Sequence, residues 1–111
     1  MKDISLNLAT ETTMNDFDFY DSETFSKKEK HKARVLRNSQ WWKRKRSSGI
    51  CHYCNNKFAP GELTMDHVIP IARGGKTEKS NVVPCCKECN TKKKQLLPAE
   101  WLEYMNSLTQ K

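Results

Sequence analysis

Within residues 62–75, ELTMDHVIPIARGG, an acid and an imidazole stand side by side as Asp66 and His67. Both are groups that could serve one reaction. The apolar residues around them, Leu63, Met65, Val68, Ile69 and Ile71, read as a short buried strand, Leu63–Ile71. A strand sends successive side chains to opposite faces. For the two groups to meet one substrate, the strand must end, twist hard or bulge between them. The loop that follows, residues 72–80 with Gly74-Gly75, is the segment that would impose this.

The cysteines on either side supply a second kind of chemistry. Cys51-x2-Cys54 and Cys86-x2-Cys89 are separated by 31 residues. Two such knuckles offer four thiolates to one tetrahedral Zn²⁺, a closed set that leaves no open position and is therefore structural. A single CxxC could be a redox pair, but two in a small basic chain point to metal. Cys85-x3-Cys89 is the competing assignment; the two-residue spacing matches the partner knuckle and favours Cys86, leaving Cys85 as a small core residue. His52, between two ligands, reads as a surface side chain. Zinc affinity in such sites appears as folding free energy, about 10–16 kcal/mol in peptides at neutral pH.

Composition makes that staple important. The chain has 111 residues, 36% of them hydrophobic, with a mean hydropathy of −0.86. A single domain of this size buries a modest core. Five cysteines, an odd number, with no apolar h-region in MKDISLNLATETT, argue against a disulfide framework and for a reduced, cytoplasmic protein. No stretch approaches membrane-spanning length.

The net charge of +7 is unevenly spread. Residues 1–24 hold six acids and one lysine, a net −5, which leaves +12 on the rest. So basic a domain calls for a polyanionic partner, nucleic acid first.

These groups need elements to position them. Residues 1–24 lack periodicity and read as a disordered acidic tail. Ser26 and Glu29 fit a capping box, and with no Gly or Pro in KKEKHKARVLRNSQWWKRKR the spacing predicts one basic helix over 26–46. Of Trp41 and Trp42, at least one is expected to pack in the core. A core over 50–97 follows: the first knuckle, a short strand near Lys57–Phe58, the Leu63–Ile71 strand, a polar loop, a strand over 82–86 and a helix from about Lys87. Pro98 suits the first turn of a last helix, 98–108, docking through Leu97, Trp101, Met105 and Leu108. The fold class is α+β. Zinc draws residues 51–54 and 86–89 together, so a ββα unit gathers Asp66 and His67 on the first strand, Asn81 closing the loop, and Asn90 with Lys92, Lys93 and Lys94 on the helix.

In that order, CHYC … MDHVIPIARGGKTEKSNVVPCCKECNTKK resembles the HNH endonucleases, the zinc-stapled branch of the ββα-metal (His-Me finger) nucleases. The resemblance covers residues 51–94, in the form H-N-N. It implies that residues 25–111 form an HNH nuclease domain with flanking N- and C-terminal helices. It implies that His67 is the general base, that Asp66 and Asn90 are ligands of one catalytic divalent ion, and that Asn81 braces the loop and keeps His67 in place. Two oxygen donors suit Mg²⁺ or Mn²⁺, where a histidine in place of Asn90 would admit Zn²⁺ and Ni²⁺. The implied reaction is hydrolysis of DNA, double-stranded by expectation, to 5′-phosphate and 3′-hydroxyl ends by a monomer or a homodimer. Phosphate contacts are expected from Lys43, Arg44, Lys45, Arg46, Arg73, Lys92, Lys93 and Lys94. The alternative is a non-catalytic, zinc-stapled nucleic-acid-binding protein on the same fold.

Overall fold

The computed structural model describes the backbone of residues 8–109 and the side chains of residues 22–109. Helix α1 is Leu8–Arg37 and helix α2 is Gln40–Arg46. The expected acidic tail falls partly on residues 1–7, outside the described residues, and partly on the N-terminal half of α1.

The single basic helix expected over 26–46 is two helices. Asn38 and Ser39 break it without Gly or Pro, because their short polar side chains compete for backbone partners. Asn38 donates to the Arg34 carbonyl at 3.2 Å, and Ser39 donates through Oγ to the Leu36 carbonyl at 2.7 Å. The same Ser39 hydroxyl accepts from the Trp42 N–H at 3.2 Å, capping α2. The corner turns Trp42 into the core, where it is 2% exposed. Ser26 and Glu29 are not a helix start. They lie inside α1, and Glu29 is 1% exposed.

Two strands, β1 (Thr64–His67) and β2 (Val82–Cys85), form an antiparallel hairpin with Asp66 opposite Val83 and His67 opposite Val82. β1 is shorter than the apolar run suggested, and the register is continuous through both residues. Of the three expected ways to bring Asp66 and His67 to one substrate (an end, a hard twist or a bulge between them), the register shows no bulge, and the strand ends just after His67. Beyond it the Val68 N–H is taken by the Asn81 carbonyl at 2.9 Å, and Ile71–Arg73 forms a 3-10 turn. The strand expected near Lys57–Phe58 is reduced to one bridge, Ile50 with Lys57.

The first knuckle is stitched to β2 by the His52 N–H donating to the Pro84 carbonyl at 2.9 Å. Helix α3 (Lys87–Lys93) follows β2 directly, with Cys86 as its N-cap, and α4 (Pro98–Thr109) begins at the proline as expected. Docking of α4 runs through Trp101, whose ring lies 5.5 Å from that of Tyr53, with Tyr104 beside it on the same helix at 5.9 Å. Met105 and Leu108, assigned to that stripe by spacing alone, are 37% and 42% exposed.

Four of the nine buried hydrophobic side chains among the described residues are cysteines: Cys51, Cys85, Cys86 and Cys89. Leu63 joins them in one cluster, with Tyr53, Cys54 and Phe58 packed against it. An interior this poor in aliphatic carbon gains little from burial alone, so the thiol cluster at its centre is where stabilisation must come from.

Candidate active site and metal centre

The sulfurs of Cys51, Cys54, Cys86 and Cys89 all lie within 4.8 Å of one another. Four thiolates on one Zn²⁺ have sulfurs about 3.8 Å apart, from Zn–S of about 2.3 Å, and Cys54 and Cys86 stand at 3.9 Å. Burial opposes ionisation of the Cys51 thiol, but the N–H groups of Cys54, Cys86 and Tyr53 outweigh it and bring that thiol down to about 7. The quartet fits a tetrahedral cation. Cys85 is not part of it: fully buried, it donates to the Cys86 carbonyl at 3.3 Å, and burial pushes its thiol up.

Asp66 and His67 do point apart, and each is gripped from its own side. Asp66, 7% exposed, accepts at Oδ2 from the Tyr53 hydroxyl at 2.5 Å and from the Lys93 ammonium at 3.3 Å. Lys93 is wholly buried; its ammonium also donates to the His67 carbonyl at 3.3 Å and lies 5.6 Å from the centre of the Tyr53 ring. Burial, then the hydrogen bond to Asp66, raise the Tyr53 phenol, so it stays a donor. Sequence reasoning places Lys93 at the surface among phosphate contacts; α3 turns it inward as the counter-ion of Asp66 instead.

On the other side, His67 Nε2 is 2.8 Å from the Thr77 hydroxyl. That hydroxyl donates its single proton to the main-chain carbonyl of Glu29 at 2.9 Å, so toward His67 it accepts. Nε2 therefore carries the proton and Nδ1 is the basic nitrogen. Burial, the largest influence, holds the imidazole below its ordinary value and keeps it neutral. Neither Thr77 nor Glu29 is marked as a site residue by sequence reasoning, and Tyr53 is passed over between two ligands.

The two residues nevertheless share one space. A cavity of about 230 Å³ at the end of β1 is lined by Asp66 and His67 together with Met65, Pro70, Ile71 and Lys94. Its outer wall is pinned by Asn81, 8% exposed, whose amide accepts from the Ile69 N–H at 2.9 Å and donates to the carbonyls of Ile69 at 3.0 Å and Lys76 at 2.8 Å. The loop can close this tightly only on glycine, since a Cβ on Gly75 would stand 1.6 Å from the Ile69 carbonyl oxygen. Asn90 is exposed on α3, three residues before the buried Lys93, and Lys94 lies just beyond the end of that helix. Asn90 does not line the cavity.

The remaining basic candidates separate by environment. Lys43 and Arg46 of α2, with Arg34 and Arg37 of α1, line a second cleft of about 640 Å³ whose floor includes Thr64 and Met65. Met65 borders both spaces, so the basic cleft adjoins the Asp66–His67 cavity. Arg44 and Lys45 are outside it, with Lys45 over the Trp41 ring at 5.5 Å. Arg73 makes a two-pronged pair with Glu100, both contacts at 3.0 Å, tying the 3-10 turn to α4. Lys92 pairs with Glu88 at 3.1 Å.

Among the described residues no helix is long and apolar enough to cross a membrane. No curated protein matches the chain. A protein-family comparison matches residues 51–105, from the first cysteine of the quartet into α4, to the description HNH endonuclease. That span holds the cysteine quartet, the hairpin with Asp66 and His67, Asn81 and Asn90, and the chain belongs to the HNH endonuclease family.

Proposed function

We propose that this protein is a metal-dependent endonuclease of double-stranded DNA that leaves 5′-phosphate and 3′-hydroxyl ends. The observation that carries this reading is the cavity at the end of β1. It presents a neutral imidazole with a fixed tautomer and a buried carboxylate beside a cleft lined by four cations. Duplex DNA carries phosphates at regular spacing, and clustered Arg and Lys neutralise them without reading bases. His67 Nδ1 takes the proton of the attacking water, and burial keeps that nitrogen unprotonated at neutral pH.

Asp66 fits a hard cation. Its Oδ2 is occupied by Tyr53 and Lys93, while Oδ1 has no hydrogen-bond partner among the described residues. Asp66, on the cavity wall, is the residue that would hold Mg²⁺ or Mn²⁺, and Asn90, exposed on α3 outside the cavity, would be its second ligand. When bound, the ion supplies withdrawal of charge from the phosphate as the P–O bond breaks. Asn81 keeps the loop closed behind His67, and Lys94, on the cavity wall, faces the phosphate that enters. The cysteine quartet would hold Zn²⁺ as a structural ion, and cysteines kept for a metal rather than for disulfides suit a reducing, cytoplasmic setting.

A second reading has one observation in its favour. Lys93 already neutralises Asp66, and Asn90 stands outside the cavity, as in a nucleic-acid-binding protein that keeps the fold without the reaction. Supercoiled plasmid separates the two. Nicked or linear product with Mg²⁺ or Mn²⁺, abolished by EDTA at a concentration that leaves the zinc in place, is the expected result. Binding without any cleavage across both metals establishes the second reading.

A further inference from the structure

Glu29 lies outside the residues matched to the family and is nevertheless the most deeply buried acid among the described residues. A buried carboxylate is unfavourable unless it is paired and hydrogen-bonded, and here both conditions are met at one place. Oε1 accepts from the Thr77 N–H at 2.5 Å, and Oε2 pairs with Lys32 at 3.1 Å. The main-chain carbonyl of the same residue accepts from the Thr77 hydroxyl at 2.9 Å. The Thr77 N–H bond, ahead of the opposing effect of burial, holds the Glu29 carboxyl below its ordinary value. Two atoms of Glu29 thus fix both the backbone and the hydroxyl of Thr77, which sits in the loop between the strands. The hydroxyl has no second proton, so it meets His67 Nε2 only as an acceptor.

We infer that Glu29 is a positioning residue for the reaction: through Thr77 it locks His67 in the Nε2–H tautomer and keeps Nδ1 free to take the proton. The inference rests on the nuclease reading for its kinetic consequence but not for its tautomer. In effect α1 completes the site that the zinc-stapled unit begins.

The test uses the full-length, zinc-loaded protein and two readouts. The first is the ¹H–¹⁵N pattern of the His67 ring at pH 8, which distinguishes the tautomers whether or not the protein cleaves DNA. The second is kcat and KM for plasmid cleavage. The wild type is expected to show Nε2 protonated. Thr77→Val removes the hydroxyl at nearly constant shape; it should give a tautomer mixture and lower kcat about 10–100-fold, taking the scale known for partners that orient metal-bound histidines, with KM little changed. Thr77→Ser should restore both. Glu29→Gln keeps an acceptor for the Thr77 N–H and should stay near wild type, whereas Glu29→Ala should match Thr77→Val, and the double variant should be no worse than either. If Glu29→Ala fails to fold, Glu29→Asp, which draws the carboxylate back from the Thr77 N–H, should still give a tautomer mixture, and a wild-type tautomer in it overturns the inference. A wild-type ring protonated at Nδ1, or a Thr77→Val ring unchanged in tautomer, overturns the inference. An inactive wild type with the expected tautomer shift in Thr77→Val removes the nuclease reading and leaves the positioning intact.

Discussion

Asp66 and His67 are neighbours in sequence but are held by different parts of the molecule. Asp66 is gripped by Tyr53, from the first cysteine knuckle, and by Lys93, from the helix that the second knuckle begins. His67 is gripped by Thr77 from the loop and, behind it, by Glu29 from α1. The carboxylate therefore depends on the cysteine centre and the imidazole on the α1 docking. A strand that points its side chains apart does not prevent them from serving one cavity; it lets two separate supports set each group.

The largest effect should come from the support the carboxylate needs. Cys51→Ser, or stripping zinc with a strong chelator, removes a contribution of about 10–16 kcal/mol on the scale of zinc-finger peptides. That exceeds the whole stability of a typical small domain. Far-ultraviolet circular dichroism should show loss of the folded core, and bound zinc should fall from one per chain to none. Cys85→Ser, outside the quartet, should keep its zinc. Zinc loss from Cys85→Ser would move the ligand to that position and dissolve the distinction.

Next in size is Lys93. Both members of its pair with Asp66 are buried, at 0% and 8% side-chain exposure. Lys93→Met should cost about 3–5 kcal/mol in urea unfolding, because it leaves the carboxylate buried without its cation. Lys92→Met, at an exposed pair with Glu88, should fall within about 0.5 kcal/mol of wild type. Equal costs for the two variants would mean that Lys93 does not serve Asp66.

His67→Ala tests the other support without touching the metal. Loss of a general base costs about 10²–10⁴-fold in rate. Zinc content, unfolding midpoint and DNA affinity should stay near wild type, since the ring contacts Thr77 and not the quartet. Cleavage at an undiminished rate would remove His67 from the reaction while leaving the fold as described.

What the sequence discloses follows the same division. The quartet is legible because tetrahedral coordination dictates the spacing of two CxxC knuckles, and Asn81 because it stands at the return from loop to strand. Glu29 is misleading because S-x-x-E has one pattern whether it starts a helix or lies inside one; only the chain packed on it, Thr77, tells the two apart. Lys93 is hidden because three consecutive lysines look alike in sequence, although a helix must turn one of them inward. The break at Asn38-Ser39 carries no Gly or Pro, and the competition of their side chains for carbonyls needs coordinates to see. The C-terminal helix has an acceptable apolar spacing, yet of that stripe Trp101 finds an aromatic partner in Tyr53 while Met105 and Leu108 stay exposed.

The smallest effect divides a single helix. Four consecutive basic residues, Lys43 to Arg46, form the last turn of α2, and sequence gives no reason to rank them. The structure does: Lys43 and Arg46, three residues apart, face the cleft with Arg34 and Arg37, whereas Arg44 and Lys45 lie outside it. If that cleft carries the DNA backbone away from His67, only the first pair releases counterions. Removing one cation from a phosphate lowers the magnitude of the slope of log K against log salt by about 0.9. Lys43→Gln with Arg46→Gln should therefore reduce the slope by about 1.8, equally for unrelated sequences, in a His67→Ala background that does not cut. Arg44→Gln with Lys45→Gln, the same change in net charge, should reduce it by much less. Equal reductions would mean that the helix acts as a diffuse positive surface; no reduction in either would take the backbone off α2 and leave the cations of α1 and the cavity wall, Lys30 and Lys94 among them, to meet the phosphate.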